Sequence, residues 1–241
     1  MQSKQISLAK FLSRRLKSPL KLFTFIELLI IIAIIGILIS ILLPNLMKAR
    51  KKTQISLCAN NLRMISLALH SYTSDNMKFL PQHRSWGSLL GQERNTHRGS
   101  VATKNRPLNS YINFQHEYSI CPADKGDSFA PDQPESWLKV HELWGSSYLP
   151  QWNIDNFATL QVTSKKNPPN INSFEFLDKK LFMADWIWHM NRELSDPRSQ
   201  WHESSKRQCN SLFLDGRVSF FVFPTFMQHN TKADVDKYGW Y

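Results

Sequence analysis

The sequence predicts an α+β protein: a long N-terminal helix, membrane-spanning in its first half and amphipathic in its second, packed on a C-terminal head built on an antiparallel β-sheet. Three observations predict it. Residues 28–43 are apolar, interrupted only by Gly36 and Ser40. Beyond them, Ile55, Cys58, Leu62, Ile65, Leu69 and Tyr72 recur at spacings of 3, 4, 3, 4 and 3, the period of one helix face. The last third carries runs rich in Phe, Leu, Trp and Val around Asp215-Gly216, a strand-and-turn pattern.

The chain has 241 residues, 42% of them apolar, which allows one membrane segment and one soluble domain of ordinary size. Its net charge of +11 is unevenly placed: Lys4, Lys10, Arg14, Arg15, Lys17 and Lys21 stand in residues 1–22, which hold no acidic group. Four more positives, Lys48, Arg50, Lys51 and Lys52, follow the apolar run, and the remaining charge is nearly balanced. The basic groups therefore belong to the flanks of a span rather than to a nucleic-acid surface. The richer N-terminal flank places the N-terminus in the cytoplasm and the C-terminal 190 or so residues outside.

The expected order is a basic cytoplasmic leader (1–22), a transmembrane helix (23–43), an amphipathic stalk helix (44–75) and an exported globular head (76–241). With Phe23 to Ile26 the apolar run offers about 20 residues, enough at ~1.5 Å per residue to cross a ~30 Å hydrocarbon core. A cleaved signal peptide fits less well, since its apolar region is shorter, roughly 7–15 residues, and ends at small residues; this run ends Leu42-Leu43-Pro44-Asn45. A plain signal anchor remains the bland alternative. Glu27 is the one charge within the span. A carboxylate at the bilayer centre costs roughly 2.5–3.5 kcal/mol on insertion scales, so Glu27 needs a partner or an interfacial place at the helix N-terminus, where the macrodipole tolerates it.

Pro44 removes one helical hydrogen bond and is expected to bend or loosen the helix. The helix ends at Thr73-Ser74-Asp75-Asn76, ahead of Pro81. Residues 82–170 are rich in Pro, Asn, Ser and Trp, with short apolar runs such as Tyr111-Ile112 and Tyr148-Leu149, and read as loops around short strands. Residues 180–188 and 211–223 read as strands, with Asp215-Gly216 expected to form a two-residue hairpin turn at positive φ.

Phe23-Thr24-Phe25-Ile26-Glu27-Leu28-Leu29, the isoleucine-rich span, Gly36 and Pro44 together resemble the processing and methylation segment of type IV pilins and type II secretion pseudopilins. The resemblance implies a pilin-like fold, cleavage by a prepilin peptidase between Leu22 and Phe23, and methylation of the new Phe23 amine. It further implies a single-pass protein of the bacterial inner membrane, its head periplasmic or extracellular, assembled with other pilin-like subunits. Glu27 then serves assembly, its carboxylate pairing with the Phe23 amine of a neighbouring subunit, two charges costly apart in lipid and compensated together. The family has Gly or another small residue before the Phe, where this chain has Leu22. A second likeness, to a group of pseudopilin-like proteins, rests on Cys58, Asn61, Leu62, Asp75, Asn76, Leu80, Pro81, Cys121-Pro122-Ala123-Asp124 and Asp215-Gly216. In that group a His often stands nine residues before the Asp-Gly; here twelve residues separate His202 from Asp215, and His202 reads as a surface residue.

The acidic stretch Asp124, Asp127, Asp132 and Glu135 is a weak Ca²⁺ candidate, chiefly through Asp124 and Asp127, but fits no defined loop spacing. Cys121 with His116, or Cys209 with His202, lacks four ligands at finger-like spacing, so no zinc site is expected. Cys58 on the helix stripe and Cys121 on a head loop either form a disulfide that staples head to stalk or remain two separate buried thiols. Asp185 with His189, and His202 with Glu203, come without a nucleophile elbow, a phosphate loop or a metal-binding helix motif, so neither catalysis nor a cofactor is expected. All eight tryptophans lie in the expected head. The chain is expected to be a non-enzymatic filament subunit of a type II secretion or type IV pilus-like system. The alternative is a membrane-anchored surface protein whose Trp-rich head binds a glycan or a protein.

Overall fold

A computed structural model describes residues 23–82, 87–96, 99–127, 138–151, 169–189, 192–203 and 205–224. The chain divides into two compact units, 1–49 and 50–241. The dominant element is helix α1, Phe25–Asp75, 51 residues long and uninterrupted at Pro44. Asn45 Nδ2 donates to the Ile41 carbonyl at 3.1 Å and Ser40 Oγ to the Ile37 carbonyl at 2.7 Å, so side-chain donors reach helix carbonyls near the proline. Within the first unit every described residue is exposed, including the isoleucines and leucines of the apolar run. That helix is long and apolar enough to cross a membrane.

The second half of α1 behaves differently because its apolar residues fall on one face. Cys58, Leu62, Ile65, Ala68 and Leu69 are buried, Ile55 and Tyr72 are partly buried, and Leu57 and Leu67 on the other faces are exposed. The helix ends where Met77 and Lys78 adopt positive φ and the Lys78 N–H turns back to the Thr73 carbonyl at 2.7 Å. Asn76 donates to the Tyr72 carbonyl twice, through its backbone N–H at 3.0 Å and through Nδ2 at 2.8 Å.

Among the described residues the head holds four antiparallel strands, β3 (Tyr148–Pro150), β4 (Leu181–Asp185), β5 (Gln208–Phe213) and β6 (Val218–Val222), hydrogen-bonded in that order. A two-stranded ribbon, β1 (Arg94–Thr96) with β2 (Gly99–Val101), and a five-residue helix α2 (Val140–Trp144) lie outside the sheet. Strand β4 is buried along its whole length and β5 nearly so, which explains why LFMAD is a continuous apolar run ending in one Asp rather than an alternating pattern. Edge strand β3 ends in Pro150, tolerated where a backbone donor is not required. Between α1 and the β5–β6 hairpin, Asn210 Nδ2 donates to the Ile55 carbonyl at 3.1 Å and Ser66 Oγ to the Gly216 carbonyl at 3.4 Å. The fold is thus α+β, a long apolar N-terminal helix followed by an antiparallel sheet.

The structure changes two local expectations. Residues 186–188 leave the sheet as a 3₁₀ turn, Trp186–Trp188, instead of prolonging β4. The β5–β6 connection is a three-residue loop, not a two-residue turn: Phe213 N–H donates to Arg217 O at 2.9 Å and Gly216 N–H to Phe213 O at 3.0 Å, with positive φ at Gly216 but not at Asp215. A two-residue Asp-Gly turn would need positive φ at both positions; one left-handed glycine closes the longer loop.

Candidate functional site

Two places gather the residues singled out from sequence. The first is the start of α1. Thr24 N–H and Oγ1 both donate to Glu27 Oε2, at 2.9 and 2.7 Å, while Glu27 N–H donates back to Thr24 Oγ1 at 3.3 Å. This reciprocal capping box satisfies orphan donors of the helix N-terminus and places the carboxylate at its positive end. Phe23 precedes it and is 67% exposed. Leu22 lies outside the described residues, and neither cleavage nor methylation is visible in a folded chain.

The second place is buried in the head. Cys58 comes from the packed face of α1, and Cys121 follows the 3₁₀ turn His116–Ser119. Asp185 is the last residue of β4, and His202 lies on the segment leading into β5. Cys58 and Cys121 form a disulfide, 63 residues apart in sequence, and Cys209 is the free cysteine. Of the two states the sequence left open for Cys58 and Cys121, the bonded one is present. Around it, His202 Nε2 lies 3.4 Å from Cys121 Sγ and 3.1 Å from Asp185 Oδ2, and Asp185 Oδ1 lies 3.4 Å from Cys58 Sγ. Tyr148 Oη donates towards Cys58 Sγ at 3.5 Å, and Asn210 N–H donates to Asp185 Oδ2 at 3.0 Å. Burial, with Asp185 adding to it, pushes the Tyr148 hydroxyl well above its ordinary value, so it stays a donor. Burial likewise pushes the Cys209 thiol well up.

His202 is therefore not a surface residue. Its side chain is 0% exposed, because Asp185 holds one ring nitrogen and Phe220 packs edge-on against the ring at a centroid distance of 6.0 Å. The sequence set Asp185 beside His189 and His202 beside Cys209 or Glu203; the fold instead joins Asp185 to His202 and both to Cys58 and Cys121. The four come from positions 58, 121, 185 and 202, so no local spacing announced them. In a nucleophilic triad the imidazole meets nucleophile and acid through different nitrogens, in reach of substrate. Here Cys121 and Asp185 face the same nitrogen, inside the core.

The Ca²⁺ candidates have other work. Asp124 accepts from Gly126 N–H (3.0 Å), Val140 N–H (2.9 Å), His141 N–H (3.1 Å) and Ser147 Oγ (2.7 Å), so it caps the start of α2. Asp127 accepts from Trp186 Nε1 at 2.7 Å and from Arg192 Nε and Nη2 at 3.0 Å each, a buried forked pair. Both carboxylates face inward onto protein donors; Asp132 and Glu135 lie outside the described residues. Of the tryptophans, Trp186, Trp188 and Trp201 are buried and Trp144 stacks on Trp186 at 5.9 Å, so these four fill the head. Trp86, Trp137, Trp152 and Trp240 lie outside the described residues.

No family model matches the chain, and neither a curated protein nor a solved structure matches it.

Proposed function

We propose that this chain is a non-enzymatic pseudopilin-like subunit of a type II secretion or type IV pilus-like filament, anchored in the bacterial inner membrane by the first half of α1. The observation that carries the proposal is the coupling of two patterns in one unbroken helix: the exposed apolar run that begins Phe23-Thr24-Phe25-Ile26-Glu27, and the buried stripe through Cys58, Leu62 and Ile65. A helix used only as an anchor has no need to continue into the core of its head. Exposed isoleucines and leucines require lipid or neighbouring helices around them, and a filament of parallel subunits provides the latter. In this reading the prepilin peptidase cuts before Phe23 and the freed amine meets Glu27 of a neighbouring subunit. The head then points away from the cytoplasm, with no nucleic-acid role.

The capping box makes the test sharp. Gln at position 27 still accepts from Thr24 and preserves the cap, but it cannot form the ion pair. Glu27→Gln is expected to leave the protein membrane-bound and folded while abolishing filaments or membrane-anchored assemblies; normal assembly would sink the pairing. Mass spectrometry of protein from its own cell is expected to show a methylated Phe23 at the N-terminus, and an intact Met1 would refute processing.

A further inference from the structure

We propose that the dithiol form of this chain binds one Zn²⁺ through Cys58 Sγ, Cys121 Sγ, His202 Nε2 and a carboxylate oxygen of Asp185. These four atoms lie within 4.8 Å of one another and all four residues are buried. Two thiolates, an imidazole and a carboxylate are a donor set that suits Zn²⁺ in tetrahedral geometry, with Zn–S near ~2.3 Å and Zn–N and Zn–O near ~2.0–2.2 Å. The ring nitrogen that faces Cys121 is also the one that faces Asp185, as a shared central ion requires.

The disulfide does not account for its surroundings. A disulfide sulfur carries no proton, so Asp185 Oδ1, 3.4 Å from Cys58 Sγ, meets another acceptor there. His202 Nδ1 is buried without a hydrogen-bond partner, which leaves the polar contacts of the ring on Nε2. A carboxylate and an imidazole are costly to bury unless their polar atoms are used, and an apolar pair would serve a plain disulfide as well. A cation between the four atoms satisfies the facing acceptors together. Supporting groups already surround them: Tyr148 Oη points at Cys58 Sγ, and Asn210 N–H holds Asp185 Oδ2.

Cysteine enters a chain as the thiol, so the dithiol state precedes the disulfide. Zn²⁺ then displaces the two thiol protons to solvent, and two thiolates, one carboxylate, a neutral imidazole and the ion sum to −1. The zinc and disulfide states exclude each other because they use the same two sulfurs. This inference does not depend on filament assembly.

The test uses the full chain in detergent. A phosphine reduces the disulfide: it gives two electrons to the S–S bond and leaves as the phosphine oxide, while water supplies the oxygen and the two thiol protons. After removal of the phosphine under argon, Co²⁺ is titrated in as the spectroscopic stand-in for Zn²⁺. One Co²⁺ per chain is expected, with intense tetrahedral d–d bands and a thiolate-to-cobalt charge-transfer band, both bleached by Zn²⁺ and both absent from the unreduced chain. Asp185→Asn, which keeps shape and an acceptor for Asn210 N–H, is expected to weaken Co²⁺ binding on the order of tenfold or more. Cys209→Ala is expected to leave the spectrum unchanged. The proposal is overturned if the reduced wild-type chain, folded by circular dichroism, shows only weak octahedral bands, or if the charge-transfer band survives Cys58→Ser and disappears in Cys209→Ala.

Discussion

Gly216 shows how much a single residue can be asked to do. Its φ of +90° closes the β5–β6 loop, and a Cβ there would come within 2.8 Å of His70 Nε2 and 3.0 Å of Ser66 Oγ, both on α1. Gly216→Ala therefore meets backbone strain and a crowded helix face together, and is expected to lower unfolding free energy by about 1–3 kcal/mol. Denaturant unfolding followed by tryptophan fluorescence reads this directly, and an unchanged midpoint would contradict the geometry. Asp215, next to it, is an ordinary loop residue whose Oδ1 accepts from Arg217 N–H at 2.9 Å. Asp124 and Asp127 carry the same lesson for acidic groups: residue type suggested a cation, and the partners turned out to be a helix start and a buried arginine.

Within α1, the two halves differ in burial: the first is exposed throughout and the second packs one face. The stripe predicts its own mutational pattern: Leu62, 0% exposed, and Leu67, 60% exposed, share one helix and one residue type. Leu62→Ala is expected to cost about 2–5 kcal/mol through lost burial and a cavity, whereas Leu67→Ala should stay within about 0.5 kcal/mol. Equal effects would mean that the packed face has been assigned wrongly. The position of this stripe was legible in sequence because a period of three and four needs only local information. The sheet was legible in part: β4 and the β5–β6 pair stand near the predicted runs, while the 3₁₀ turn at Trp186–Trp188 was not, since its tryptophans have strand-like propensity and are drawn to inward partners such as Asp127 and the Leu149 carbonyl.

For the whole molecule, the Cys58–Cys121 bridge spans 63 residues and ties α1 to the head. In the chain-entropy account a loop of that length is worth roughly 4 kcal/mol. Reduction without metal is expected to lower the unfolding midpoint by a corresponding amount, and Zn²⁺ added to the reduced chain to raise it again, because a ligand that binds only the folded state stabilises it by mass action. Reduction with no shift would mean that the bridge constrains little in the unfolded chain. Cys209, buried on β5, is outside the bridge.

The apolar run, the helix stripe and the α+β class could be read from the order of residues, because each depends on neighbours within a few turns or on composition. The company that Cys58, Cys121, Asp185 and His202 keep could not. Those positions meet through a helix, a loop, a strand end and the segment between β4 and β5, and the contact follows from burial of Asp185 and His202 that no short window contains. His202 was misplaced for the same reason: exposure is a property of what packs around a residue, here Phe220 and Asp185, and not of its type.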